Sequence, residues 1–361
     1  MTATSPLGTH PDATFVADVE ALDATWREVA ATTEVHDTWL EVAGELVRLR
    51  LAGGALSAAL LPALGHLVVD PPAAADVERA ALVVHAWDSV GSGTRLPDMA
   101  LLPVPGDIAA PTSHAFGDGA FWLQPVDAVL SALRRRTAWW CVPASAGVAP
   151  PERAAPFKAI FHWWLAGRGL HLVHAGAVGS VDGAAGVLLP GPGGAGKSTT
   201  VARCARAGLP VAGDDFVIVG TDPPRVWSLY GTVKLMPSVA HEEGWPVPRL
   251  PDCGEKRTLL LDDVRTGSVV AGLPLTTVAL PRVVPSATAT DWVPARPAEV
   301  VMALAPWTLL QLPMPRQEAF AAAREIAERV PAVMLRLGSD PAGVTGGVAA
   351  LLAGATDRGA A

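Results

Sequence analysis

The sequence predicts an α/β protein: a mixed sheet with flanking helices over residues 149–361, preceded by a smaller β-rich α+β region over residues 1–148. Three observations predict it. Apolar runs of strand length alternate irregularly with segments of helical period, the pattern of a mixed sheet. One such run, residues 185–189, leads through a glycine-rich turn into a helical segment at 198–207. Between the two parts, residues 143–151 hold three prolines among small residues and read as a linker.

The elements follow in chain order. Residues 1–13 read as a loose tail, and 34–51 as strand-like alternation closed by the Gly53-Gly54 turn. Residues 55–69 carry Pro62 inside an apolar run, which predicts a strand or short helix on each side of it. Residues 80–88 form a buried strand, 97–125 strands joined by turns, 126–136 a helix, and 138–142 an aromatic-rich strand. After the linker, 154–167 is amphipathic at helical spacing through Phe157, Ile160, Phe161, Trp164 and Leu165. Strands are predicted at 170–178, 185–189, 216–219, 225–235, 257–262, 275–284 and 332–337. Helices are predicted at 198–207, 297–305, 316–330 and 346–352.

With 361 residues, half of them hydrophobic and 17% charged, the chain can bury a large core and is not disordered. The net charge is −8, and no basic cluster exceeds Arg134-Arg135-Arg136, which argues against nucleic acid as a partner. Three scattered cysteines with no C-x-x-C pair suit a reducing compartment and argue against a zinc site. No signal-peptide pattern opens the sequence. No apolar run of about 18 residues escapes proline, glycine or charge, so a cytoplasmic protein without a membrane span is expected.

The stretch that carries chemistry is GPGGAGKST, Gly191 to Thr199. It fits the phosphate-binding pattern G-x-x-x-x-G-K-[ST] at every fixed position. Gly191, Gly193, Gly194 and Gly196 can adopt backbone angles that turn successive N–H groups toward an anion, with Ala195 between them. The helix that follows directs its positive end to the same place. Lys197 would reach the β- and γ-phosphates, and the Ser198 hydroxyl would ligate Mg²⁺. The bland alternative is a glycine-rich helix entry with no ligand. Asp214-Asp215, one helix downstream, could divide metal binding and proton acceptance between them; a solvated turn is the alternative.

These residues carry a resemblance. His174-Ala175-Gly176-Ala177-Val178, then the glycine-rich loop, then Gly213-Asp214-Asp215, resemble the catalytic domain of HPr kinase/phosphorylase. More distantly they resemble the nucleotide core of ATP-dependent phosphoenolpyruvate carboxykinases. The resemblance covers roughly residues 165–235. It implies ATP and Mg²⁺ held at Gly191, Gly193, Gly194, Ala195, Gly196, Lys197, Ser198 and Thr199. Asp214 becomes the general base, Lys197 a catalytic cation, and His174 a neighbour of the transferred phosphate. Ser198 and Asp215 become the metal-side ligands. The sequence departs from the family where a glutamate follows the aspartates: VWSLYGTVKL holds only Lys234, and the nearest acids are Glu242 and Glu243.

Lysine is scarce, with only Lys158, Lys197, Lys234 and Lys256, so Lys256 or Arg257 is a candidate γ-phosphate clamp; a solvated strand start is the alternative. His85 with Asp88, and the tryptophans at 139, 140, 163 and 164, read as structural. The expected function is ATP/Mg²⁺-dependent transfer of the γ-phosphate to a hydroxyl of a protein, peptide or small molecule. The alternative is an ATP-binding regulatory module with little or no transfer. Residues 1–148 would select the acceptor, and a homo-oligomer is left open.

Overall fold

The computed structural model describes residues 12–73, 78–97, 99, 112–116, 118–124, 128–242, 244–313 and 317–359. It is a mixed α/β protein with sheets of eight, six, four and two strands. The expectations for residues 1–11, for most of 97–111 and for Glu243 lie outside the described residues.

The eight-stranded sheet runs Val68–Val69, Val35–Val42, Glu45–Ala52, Leu82–Asp88, Thr137–Val142, Val129–Arg134, Gly119–Gln124 and Thr112–Phe116. Its second half is a meander of antiparallel hairpins, while Glu45–Ala52, Leu82–Asp88 and Thr137–Val142 are mutually parallel. Both faces are covered. Helix Asp12–Thr32 lays Phe15, Val19, Leu22, Trp26 and Val29 against Trp87, Phe121, Leu130 and Trp139 on one face. Helices Gly54–Leu60 and Lys158–Ala166 cover the other, packing against Leu49, Val84, Leu133 and Trp140. Neighbours Trp139 and Trp140 thus point to opposite cores, as the two-residue strand period requires.

Two expectations fail here. The helix expected at 126–136 is not formed over the described residues 128–136; Val129–Arg134 is a strand paired with Thr137–Val142. All of Val129–Leu133 is buried, because the sheet is covered twice, and a strand buried on both faces shows no alternation to distinguish it from a helix. Conversely, helix Asp12–Thr32 was not expected, although its apolar positions recur at helical spacing. Residues 55–69 are helical on both sides of the Leu60–Leu61 junction, followed by a two-residue strand.

The six-stranded sheet has the order Val211–Gly213, Ala175–Gly179, Gly186–Pro190, Thr277–Val283, Ala332–Leu337, Asp291–Pro294. Its three central strands, Gly186–Pro190, Thr277–Val283 and Ala332–Leu337, are parallel. Successive residues of Gly186–Pro190 serve two layers. Val187 and Leu189 pack toward helices Lys197–Ala207 and Pro341–Gly359, and Leu188 toward helices Pro297–Gln311 and Gln317–Arg329. Each fully buried Val or Leu contributes about 1.5–3 kcal/mol, so this strand is fixed firmly in place.

Three predicted strands or helices are interrupted. Residues 170–178 split into His171–Val173, in the four-stranded sheet, and Ala175–Gly179, in the six-stranded one, with His174 at the break. Residues 225–235 split into Pro224–Trp227 and Thr232–Leu235, again in different sheets. The helix expected at 154–167 starts at Lys158, because Phe157 adopts a left-handed φ of 58° and separates it from the short helix Pro150–Ala154. Strand 257–262 ends at Leu260, where a helical turn begins, and the last helix is longer than expected, Pro341–Gly359.

Candidate functional site

The glycine-rich turn lies at the carboxyl ends of the three parallel strands, the place where open α/β sheets leave a crevice. Gly191, Gly194 and Gly196 have φ values of 147°, 80° and 100°, which side chains rarely adopt. Gly196 is required twice over. It caps helix Lys197–Ala207 in the left-handed conformation, and a Cβ there would come within 2.5 Å of Leu337 Cδ1. At Gly193 and Gly194 a Cβ would meet nothing within 4 Å, so the loop opens onto free space. That space is a cleft of about 530 Å³, lined by Pro192–Thr199, His174, Asp215, Lys234, Lys256 and Gln311, among others.

Lys197 is 7% exposed and donates from Nζ to Gly191 O at 2.7 Å and Pro192 O at 3.0 Å. Burial pushes its ammonium below the usual lysine range, while Asp214 and Asp215 oppose that shift. A cation whose partners are only loop carbonyls can exchange them for a stronger anionic acceptor.

The adjacent aspartates occupy opposite environments. Gly176 lets the loop helix approach its strand, since a Cβ there would lie 2.5 Å from Val201 Cγ2 and 3.3 Å from Asp214 Oδ1. Asp214 is wholly buried beneath that helix. Burial, then the neighbouring Asp215 charge, raises its pKa; Ser198 and Lys197 offset this in part. Ser198 is close enough to ease the charge, yet neither carboxylate oxygen has a hydrogen-bond partner of normal geometry. Asp215 turns the other way because its φ is 67°, in the left-handed region. It lines the cleft and accepts from His174 Nε2 at 3.0 Å and Lys234 Nζ at 2.6 Å. Burial alone would raise its pKa, but the Lys234 charge and His174 outweigh it and hold the carboxyl well below the usual range.

His174 sits where two sheets part. Its backbone N–H donates to Thr308 Oγ1 at 3.1 Å, its ring meets Phe216 edge-on at 5.5 Å, and its Nδ1 is buried without a partner. Lys158 Nζ lies 5.0 Å over the same Phe216 ring. Lys234 arrives from strand Thr232–Leu235, in register with Thr258.

The structure thus brings His174, the loop residues, Lys197, Ser198, Thr199, Asp215, Lys234 and Lys256 to one cleft, with Asp214 directly behind it. It does not bring Arg257, which is 3.4 Å from Asp252, or Glu242, which pairs with Arg203. His85 stacks on Trp26 at 4.6 Å, and Asp88 caps a short helix. Sequence reasoning missed Thr308, Gln311 and Cys253, which come from distant segments with no local pattern, and Phe216, which directly follows the aspartates. Among the described residues, no three His, Cys, Asp or Glu side chains gather to hold a metal. Among them also, no helix is long and apolar enough to cross a membrane.

No family model matches the chain, and no curated protein matches it. Among solved structures it is similar to the Hpr(Ser) kinase/phosphatase from Coxiella burnetii, at 8% identity and a TM-score of 0.30. That similarity covers 52% of this chain and 99% of the other. A likeness at that level carries nothing about what this chain does.

Proposed function

We propose that the chain binds a Mg²⁺–nucleoside triphosphate, with ATP as the expected one, and transfers its γ-phosphate to a hydroxyl. The observation that carries the reading is the pairing of an open glycine-rich turn and buried Lys197 with two adjacent carboxylates in unlike environments. Unlike environments for neighbouring acids divide the chemical work between them.

Mg²⁺ fits the residues present. Asp214 is a buried carboxylate whose oxygens have no hydrogen bond of normal geometry, and Ser198 adds a hard oxygen on the same side. When bound, the ion neutralises charge on the phosphate oxygens. We assign Asp214 to the metal side and Asp215 to the acceptor, the reverse of the sequence expectation. Asp214 has no exposed surface from which to touch an acceptor, whereas Asp215 forms part of the cleft wall.

In this reading the loop N–H groups hold the phosphates, and Lys197 exchanges its two carbonyl partners for phosphate oxygen. Asp215, fixed by His174 and Lys234, orients the acceptor hydroxyl. The acceptor oxygen bonds to the γ-phosphorus as the bond to the bridging oxygen breaks, and the nucleoside diphosphate leaves with that oxygen. The hydroxyl proton passes to Asp215 and on to solvent. A carboxylate of lowered pKa is a weak base, but a loose phosphoryl transition state asks more for alignment than for basicity.

One observation favours a second reading, an ATP-binding regulatory module. Lys234 occupies Asp215 from a strand on which the resembling family carries a glutamate, and the pair could serve closure without transfer. Incubation with γ-labelled ATP and serine-containing peptides or cell extract separates the two. Label entering an acceptor with wild type but not with Asp215→Asn supports transfer. Tight ATP binding with no labelled product supports the module.

A further inference from the structure

Three of the chain's four lysines, Lys197, Lys234 and Lys256, line the cleft. The fourth, Lys158, approaches it from behind. Its Nζ lies 5.0 Å over the Phe216 ring, and that ring meets the His174 imidazole edge-on at 5.5 Å. His174 Nε2 in turn donates to Asp215 at 3.0 Å. A continuous line of contacts thus runs from the Lys158 ammonium through two rings to the Asp215 carboxylate. Phe216 is 1% exposed, so the ammonium meets a ring shielded from water, where a cation–ring contact is strongest. Burial pushes Lys158 below the usual lysine range, while Glu152 and Asp215 oppose that shift. An apolar side chain could fill the same place without desolvating a charge. The chain instead sets a cation beside an aspartate that the proposed reaction uses.

Two anchors fix where Lys158 stands. The left-handed Phe157 starts the helix at Lys158, and Ile160, Phe161 and Trp164 of that helix are sealed in one core with Leu49 and Val84 of the eight-stranded sheet. Just ahead of it, Ala154 O accepts from Thr232 Oγ1 and Pro156 O from Tyr230 OH, both at 2.9 Å. Thr232 begins the strand that carries Lys234. The segment before Lys158 is therefore tied to the strand supplying one partner of Asp215, while Lys158 itself touches the ring beside the other.

We infer that Lys158 is a positioning residue for the acceptor side of the cleft, holding Phe216 and His174 so that Asp215 faces an incoming hydroxyl. Its effect on transfer rests on the kinase reading; its effect on His174 does not. Removing the ammonium leaves the Phe216 ring without its cation and the abutting His174 ring less firmly held. It also removes a positive charge within electrostatic reach of Asp215.

The test compares full-length wild type with Lys158→Met, which keeps the apolar stem, and Lys158→Arg, which keeps a cation able to sit over the ring. In nucleotide-free protein the His174 imidazole resonances, assigned by their loss in His174→Gln, are expected to shift in Lys158→Met and to return toward wild type in Lys158→Arg. In labelled-phosphate transfer, Lys158→Met is expected to lower kcat about tenfold with Mg²⁺–ATP affinity nearly unchanged, and Lys158→Arg to recover most of the loss. Unmoved His174 resonances in folded Lys158→Met overturn the inference, as does a lowered melting temperature alone, which would leave Lys158 only a charge neighbour of Glu152. If Lys158→Met does not fold, the double variant Glu152→Gln/Lys158→Met removes both charges and is read in the same way. Shifted His174 resonances with kcat unchanged overturn the role in transfer. Wild type that transfers no phosphate refutes the kinase reading, while the placement of His174 by Lys158 stands or falls on the resonances.

Discussion

The eight-stranded sheet and the glycine-loop region carry backbone strain in different places. In the first, among the described residues, those other than glycine at positive φ are Ala43, Ala128 and Arg135, which lie at turns between strands and are at least partly exposed. There the strain buys nothing beyond a tight reversal. In the second it is Asp215, on the cleft wall, while Phe157 lies in the core against Trp140 of the eight-stranded sheet. Charge follows the same division. Arg48–Asp37 and Arg134–Asp118 are surface pairs, of the kind that contribute roughly 0–1 kcal/mol. Asp215–Lys234, by contrast, is largely desolvated, and Asp214 beside it is wholly buried, with no hydrogen bond of normal geometry to either oxygen. Strain and unsatisfied charge concentrated in one cleft are the marks of a functional site, whereas the same angles at exposed turns mark only topology.

Substitutions in the two regions should therefore differ sharply in the size of their effects. The largest effect is expected at Asp215. Asp215→Asn should lower phosphotransfer by about 10²–10⁴ while leaving ATP affinity within a few-fold, measured by labelled-phosphate transfer and calorimetry. A loss confined to affinity would remove Asp215 from the acceptor role. Next is Gly196→Ala, where a left-handed φ of 100° and the approach to Leu337 act together. It should destabilise the fold by about 1–3 kcal/mol in urea unfolding. A neutral result would show that the loop is looser than described.

Asp214→Asn should do the reverse and stabilise the nucleotide-free protein by ~1 kcal/mol, because it removes a buried charge that burial and the neighbouring Asp215 disfavour. The pH dependence gives its sign. Folded Asp214 holds its proton more tightly than the unfolded chain does, so its contribution is complete below the ordinary carboxylate value of 3.8 and is lost as pH rises through its raised value. Asp215 acts oppositely: its contribution is present above the ordinary value and is lost as pH falls through its lowered one. Thermal denaturation across pH should show Asp214→Asn flattening the loss at higher pH and Asp215→Asn flattening the loss in acid. The smallest effect belongs to the first region. Arg135→Gly, at an exposed turn with φ of 56°, should change stability by no more than about 1 kcal/mol, without effect on ATP binding.

The sequence and the structure agree where the pattern is local. Residues 185–207 show their strand, turn and helix because glycine spacing, an apolar run and a helical period adjoin one another. The buried strand Val129–Arg134 is hidden by double coverage, whereas the period of helix Asp12–Thr32 is legible in the spacing of Phe15, Val19, Leu22, Trp26 and Val29. The break at His174 had no local signal, since only the parting of two sheets produces it. The same holds for Lys234, which reaches Asp215 through a strand pairing with Thr258. The opposed directions of Asp214 and Asp215 come from one backbone angle, and no spacing rule reports it.

The central claim is that the glycine-rich turn and Lys197 hold a triphosphate. Titration of Mg²⁺–ATP into wild type and Lys197→Ala by calorimetry tests it most directly. The account predicts saturable one-to-one binding by wild type, weakened by on the order of 10²–10³ in Lys197→Ala, as for a lost charge contact in a water-poor site. No heat with wild type, or equal affinity in the two proteins, would contradict it.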